Sequence, residues 1–441
     1  MQAEKRRPKR WLLFMLGTFL AMCCCCFGVV GSAGQEFYPV PTIVKQTMED
    51  AHKAGLALSD KDLEPVPFPS DASNMAPLLA NMGKDLTAVE NHWAQNDQVM
   101  FTQAAKGAVQ DVPDLENLLV QINATTKGQS ELFSKPVCAT GAESKWSADD
   151  VHRGFEVLGD IASARGNLDV ALGRVDLACD QIQFLVKAAI AATSSNTDSA
   201  EGPALTDQAA ALILAATDAA GNDTATLERL MKLAKALPAP PPAAIVFRQW
   251  LPRQFDQYDA DIESCTLPMT QGEVRRTGFA KQCSMSSANT KMIFDGLKYR
   301  MVATSIPIFA SLESAKSIDD EEAALLKPLQ ILNQSTNFVG QWVAANTYDQ
   351  SIDWRALIDK VDAFRATLAN QHVDVCTLWV KLYQLQHGKP PPALGPELGD
   401  FRTDPYDNQM LTYVVKDGIA SVADHAPKKL PPLNADESQG N

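Results

Sequence analysis

The chain carries six histidines, His52, His92, His152, His372, His387 and His425. None stands in a His-Glu-x-x-His helix, a phosphate-cradling glycine loop or a Gly-x-Ser-x-Gly elbow. The densest ligand-like group is His372-Val-Asp-Val-Cys376, whose i, i+4 spacing sets His372 and Cys376 on one helix face. A structural metal takes three or four ligands. This segment is therefore read as a surface histidine beside a buried cysteine, with no metal and no cofactor. Asp256, Asp259, Asp261 and Glu263 could supply the two carboxylates that glycoside or phosphate hydrolysis requires, but the same spacing suits a solvated helix face. No catalytic residue is assigned.

Outside a Cys23–Cys26 run the cysteines are Cys138, Cys179, Cys265, Cys283 and Cys376, none in a Cys-x-x-Cys pair. Cys265 and Cys283 bracket a stretch holding Pro268, Gly272 and Gly278, which makes them the disulfide candidate in an oxidising compartment. Cys179 lies on a helical apolar stripe and reads as a small core residue, ahead of a disulfide to Cys138 or Cys376. Trp250, Trp342, Trp354 and Trp379 fall on or near helical stripes and read as core. Asn123, Asn222 and Asn333 head glycosylation sequons of the kind that arise by chance.

The element that places all of these residues is the N-terminus. Lys5, Arg6, Arg7, Lys9 and Arg10 precede an uncharged run from Trp11 to Val30. Twenty residues at about 1.5 Å each span roughly 30 Å, one bilayer core. The basic flank predicts a cytoplasmic tail at 1–10, a transmembrane anchor at 11–30 and an extracytoplasmic body. Gly31-Ser32-Ala33 resembles a signal-cleavage site, yet the apolar run exceeds the roughly 7–15 residues of a signal core, which favours a retained anchor. The expected location is a bacterial inner membrane, crossed once. The chain carries a net charge of −14, and residues 1–30 contribute +4, which leaves −18 for the body. Such an acidic surface repels phosphate backbones, so nucleic acid is excluded as a partner.

The body reads as mainly α, a multi-helix bundle in one core or two halves, with a small C-terminal β-hairpin. Residues 31–72 form a proline-containing stalk with a short helix over 42–57. Helical half 1 covers 73–237. Within it, Ser147-Ala-Asp-Asp150 supplies a capping box for a helix over 148–165 that stops at Gly166-Asn167. The next helix carries a near-heptad stripe of Leu168, Leu172, Val175, Cys179, Ile182, Val186 and Ile190. Pro238-Ala-Pro-Pro-Pro-Ala243 is a hinge, and helical half 2 covers 244–388. There a helix over 284–312 is expected to end near Pro307, Ser317 caps another that Pro328 bends, and 352–387 forms a long stripe helix interrupted at Gln371. Residues 389–426 hold a Pro-rich linker and a hairpin turning at Asp417-Gly418, and 427–441 form a polar tail.

Two stretches, Asp71-Ala-Ser-Asn-Met-Ala-Pro-Leu-Leu79 and Asp404-Pro-Tyr-Asp-Asn-Gln-Met-Leu-Thr-Tyr413, resemble segments of uncharacterised signal-anchored helical proteins of environmental bacteria, with Asn408 at a position where those carry Gly. The second is also similar to the Asp-Pro-aromatic turn of secretion pseudopilins, but the prepilin cleavage site and small sheet domain of those proteins have no counterpart in this sequence. The resemblance implies a membrane-anchored bacterial protein and brings no catalytic residue. The expected function is a non-catalytic interaction scaffold with a protein partner in the cell envelope. The alternatives are an extracytoplasmic small-molecule-binding module and a carboxylate-dependent hydrolase.

Overall fold

A computed structural model describes residues 41–63, 68–91, 93–125, 129–140, 146–195, 200–266, 287–315, 320–321, 323–325 and 354–425. The anchor expected at 11–30, the tail at 427–441, the Ser317 cap and Pro328 lie outside these residues. Among the described residues no helix is long and apolar enough to cross a membrane. The fold is mainly helical, with one small two-stranded antiparallel sheet near the C-terminus.

Two compact units are present. One holds the described residues within 1–59, 251–313 and 324–354. Its α1, Pro41–Lys53, ends at Gly55, whose φ of +84° suits glycine, and Ala51, Leu56 and Ala57 are buried. The same unit contains most of α11, Ser287–Ser314, which runs through Pro307 instead of stopping there. Ile308, Phe309 and Leu312 are buried beyond that proline, so apolar burial outweighs the hydrogen bond it removes.

The other unit holds residues within 60–250, 314–323 and 355–441. Its helices are α2 Ala76–Glu90, α3 Gln95–Ala105, α4 Val112–Thr125, the single turn α5 Gln129–Leu132, α6 Ala148–Ala171, α7 Val175–Thr193, α8 Glu201–Ala220 and α9 Thr224–Lys235. After the proline segment α10, Ala243–Thr266, begins, and it crosses from this unit to the other between Trp250 and Leu251. The long helix α12 is Trp354–His387.

Helix α6 is central and packs against α2, α3, α4, α7 and α8. Its capping box forms as the sequence predicts, with Asp150 N donating to Ser147 Oγ at 3.0 Å and Ser147 N to Asp150 Oδ2 at 3.4 Å. Close approach needs small residues. A Cβ on Gly154 would lie 2.3 Å from the Leu79 carbonyl oxygen of α2, and one on Gly166 would lie 2.2 Å from a Leu212 methyl of α8. Gly166 is therefore a packing residue inside α6, and the helix does not stop there. The chain breaks at Gly173, φ +69°, which divides the stripe expected to be continuous from Leu168 to Ile190. Leu172 is 41% exposed and Ile190 47% exposed, while Leu168, Cys179, Ile182 and Val186 are buried.

One apolar core joins Leu79, Phe155, Leu158, Cys179, Ile182, Leu212 and Leu230 to Val375, Cys376, Leu378 and Leu382 of α12. Gln371, on the α12 stripe, is buried and donates from Nε2 to Leu237 O at 2.9 Å and Ala234 O at 3.4 Å. It thus satisfies carbonyls at the end of α9. After α12, a 3-10 segment Pro396–Arg402 leads to β1 Thr412–Lys416 and β2 Ile419–Ala423. Asp417 and Gly418 between the strands both have positive φ, +53° and +80°, so the predicted turn is a type I′ hairpin.

Candidate functional site

The chemistry-bearing residues of the last third converge on the segment that follows α12. His372 and Cys376 share a face of that helix, as their spacing demands, and both bond main-chain carbonyls. His372 Nδ1 donates to Thr403 O at 2.7 Å with its ring edge on Phe401, centroids 5.2 Å apart, and Cys376 Sγ lies 3.3 Å from Phe401 O. Burial lowers the His372 pKa, which keeps the ring neutral near pH 7, and burial pushes the Cys376 thiol up to about 12. A thiol so far from ionising is a poor nucleophile at neutral pH. Asp374 stands two positions away, where helical geometry points it elsewhere, and burial raises its carboxyl to about 7.

Asp404 is the hub of the segment and is fully buried. Its Oδ1 accepts from Tyr406 N at 2.8 Å, and its Oδ2 accepts from His425 N. The main chain closes the same loop, with Asp404 N donating to Gln409 O at 2.6 Å and Asn408 N to Asp404 O at 2.9 Å. Asn408 takes φ +57°, a left-handed conformation that glycine adopts freely and asparagine tolerates. This accounts for either residue at that position. His425 Nδ1 lies 2.5 Å from Asp407 Oδ2 and 3.6 Å from Asp404 Oδ2. The hydrogen bond to Asp407 raises the His425 pKa, while the Gln409 amide, followed by His425, lowers that of Asp407.

These three residues bring ligand-capable atoms within 4.8 Å of one another. Each group already has a charge or hydrogen-bond partner, so the cluster acts as a clasp that joins the end of β2 to the Asp404 loop. In the sequence Asp404 reads as part of a resembling motif, with no role of its own. The signal present was an Asp-Pro turn, but the partner that completes it lies 21 residues away.

The hairpin has two unlike faces. Tyr413, Ala420 and Val422 pack against the helical core, and Tyr413 Oη donates to Pro391 O at 2.7 Å. Gln384 Nε2 of α12 donates to Gly418 O at 3.4 Å. Facing away are Val414 at 49% exposure and Ile419 at 73%, while the exposed Val415 shares the face of Tyr413 and Ala420.

The remaining candidates fall elsewhere. His52 is exposed on α1, and His387 donates to Tyr383 O and stacks on that ring 4.0 Å away. His152 of α6 pairs through Nδ1 with Glu201 of α8, a buried carboxylate whose Oε2 has no hydrogen-bond partner among the described residues. Cys138 is buried, and burial, with the Glu201 charge, pushes its thiol up to about 12. Cys138, Cys179 and Cys376 are free thiols in the core, as the stripe reading of Cys179 expects. Trp250 and Trp379 are half-buried. Asn222 is exposed in the turn between α8 and α9.

Residue Cys283, His92, Trp342 and Asn333 lie outside the described residues, as do the side chains of Asp256, Asp259, Asp261, Glu263, Cys265, Trp354 and Asn123. The disulfide candidate Cys265–Cys283 and the carboxylate group therefore have no described geometry. The other resembling segment, residues 71–79, is structural as well. Asn74 is buried, accepts from Ala76 N at 3.1 Å at the start of α2 and exchanges hydrogen bonds with both main-chain groups of Ala139. No protein-family model, curated protein or solved structure matches the chain, so its own residues carry the functional reading.

Proposed function

We propose that this protein is a non-catalytic interaction scaffold of the bacterial cell envelope, tethered to the inner membrane by residues 11–30 and presenting an acidic helical body outside. One observation carries the reading. The C-terminal hairpin is fastened to the helical body by its inner face and exposes Val414 and Ile419 on the opposite face. Exposed apolar residues clustered on a rigid mount are the signature of a protein-contact surface. His372, Cys376 and Asp404 support the reading, because each holds the mount in place through main-chain groups.

The test uses membrane-bound full-length protein. The intact protein should sediment with the membrane fraction, and external protease should then digest its body. A photo-crosslinking residue at Val414 should then give a discrete protein adduct that the same residue at exposed Lys187 does not. Protection of the body from external protease would overturn the topology, and identical labelling at both positions would overturn the contact surface.

A further inference from the structure

The geometry points to the outer edge of β2 as a docking edge for an extended strand with basic flanks, supplied by a partner protein. This inference rests on the scaffold reading and names the chemistry of the partner. A two-residue turn makes Lys416 and Ile419 a hydrogen-bonded pair, and hydrogen-bonded and non-bonded pairs alternate along an antiparallel ladder. Ile419, Ser421 and Ala423 therefore address β1, while the main-chain groups of Ala420 and Val422 address the outer edge. The sheet has only these two strands, and no described residue bonds that edge. The outer edge of β1 differs, because its approach is covered where Leu411 N donates to Arg402 O at 2.9 Å and Thr403 bridges Met410.

Natural edges are blunted with proline, lysine or an inward charge. Strand β2, Ile-Ala-Ser-Val-Ala, has none of these. Its edge offers two residues' worth of donors and acceptors, and an incoming strand would bring a side chain beside Ile419, which is exposed.

Charge selects the occupant. Asp417 and Asp424 flank β2 at its two ends, and the body as a whole carries −18 by sequence. A second copy would bring Asp417 of one β2 beside Asp424 of the other and would add two acidic bodies together. An incoming strand with lysine or arginine at both ends meets complementary charge at short and long range. The chain's own C-terminal tail fits poorly, because Pro431 and Pro432 are adjacent, so that one of them would face β2 and remove a ladder donor in any register.

The experiment measures binding of a synthetic peptide, Lys-Thr-Val-Thr-Val-Thr-Lys with blocked ends, to the full chain in detergent by fluorescence anisotropy. A glutamate-flanked version and a version with proline at the centre serve as controls. The basic peptide should bind about tenfold more tightly than the acidic one at low salt, and the proline version should not bind. Ala420→Pro removes an outward N–H without touching the hairpin ladder and should abolish binding while the amide of Ser421 stays protected. Asp417→Asn with Asp424→Asn should erase the preference for basic flanks, since asparagine keeps the turn. Undiminished binding to Ala420→Pro, equal binding of basic and acidic peptides, or sedimentation of the wild type as a dimer would overturn the assignment. Membrane tethering and crosslinking at Val414 are read separately, so their failure is distinct from this one.

Discussion

The stack of α2, α6 and α8 and the segment after α12 share one apolar core but differ in how much polar bonding fixes them. In the stack, glycines let backbones meet and apolar side chains fill what remains, with Leu79, Phe155, Leu158 and Leu205 almost wholly excluded from solvent. The C-terminal segment buries Leu394, Leu398 and Leu411 in the same core but adds individually placed polar bonds, from His372, Cys376, Gln384, Tyr413 and Asp404, and leaves one of its faces open. Apolar packing is non-directional, so the stack is held by how completely its side chains fill the space between helices. Directional bonds hold a small element at a fixed attitude on the surface, which is what a presented hairpin requires.

The contrast can be broken at the stack with the larger effect. Gly154→Ala places a methyl against the Leu79 main chain, which cannot rotate away as a side chain could. We expect a loss of about 3 kcal/mol after the gain in helix propensity. The melting temperature should fall by roughly 5–10 °C in a thermal scan. An unchanged melting temperature would mean that α2 and α6 do not approach as described.

The clasp gives a smaller, pH-dependent effect. The pKa of His425 is raised in the folded protein, so its contribution is fully present below the unfolded value of about 6.5 and disappears as pH rises through the folded value. Amide exchange near Asp424 and His425, corrected for intrinsic pH dependence, should speed up from pH 6 to pH 9 in the wild type and show no such step in Asp407→Asn. A step of the same size in both would assign the titration to another group.

The same contrast explains what could be read in the sequence. Local rules succeeded where the deciding contact is local, as in the Ser147 capping box and the Asp417-Gly418 turn. Gly166 misled because a glycine after a helical run signals a stop unless a distant residue, here Leu212, needs the space. Leu172 fits the heptad spacing, which hid the break at Gly173. Gln371 was visible as an interruption, but its acceptors at Ala234 and Leu237 are set by tertiary packing. Asp404 is legible as a turn residue and not as a hub, because its partner His425 lies on the far side of the hairpin, 21 residues along the chain.

Hydrogen–deuterium exchange on the full chain, comparing wild type with Asp404→Ala, tests most directly whether the C-terminal segment is a polar-latched mount on an independent helical body. Loss of a buried carboxylate that takes two main-chain donors should cost about 2 kcal/mol locally, or roughly a 30-fold faster exchange. That acceleration should be confined to residues 402–425, with α6, α7 and α8 unchanged. Acceleration spread across those helices, or no change in the hairpin, would contradict the account.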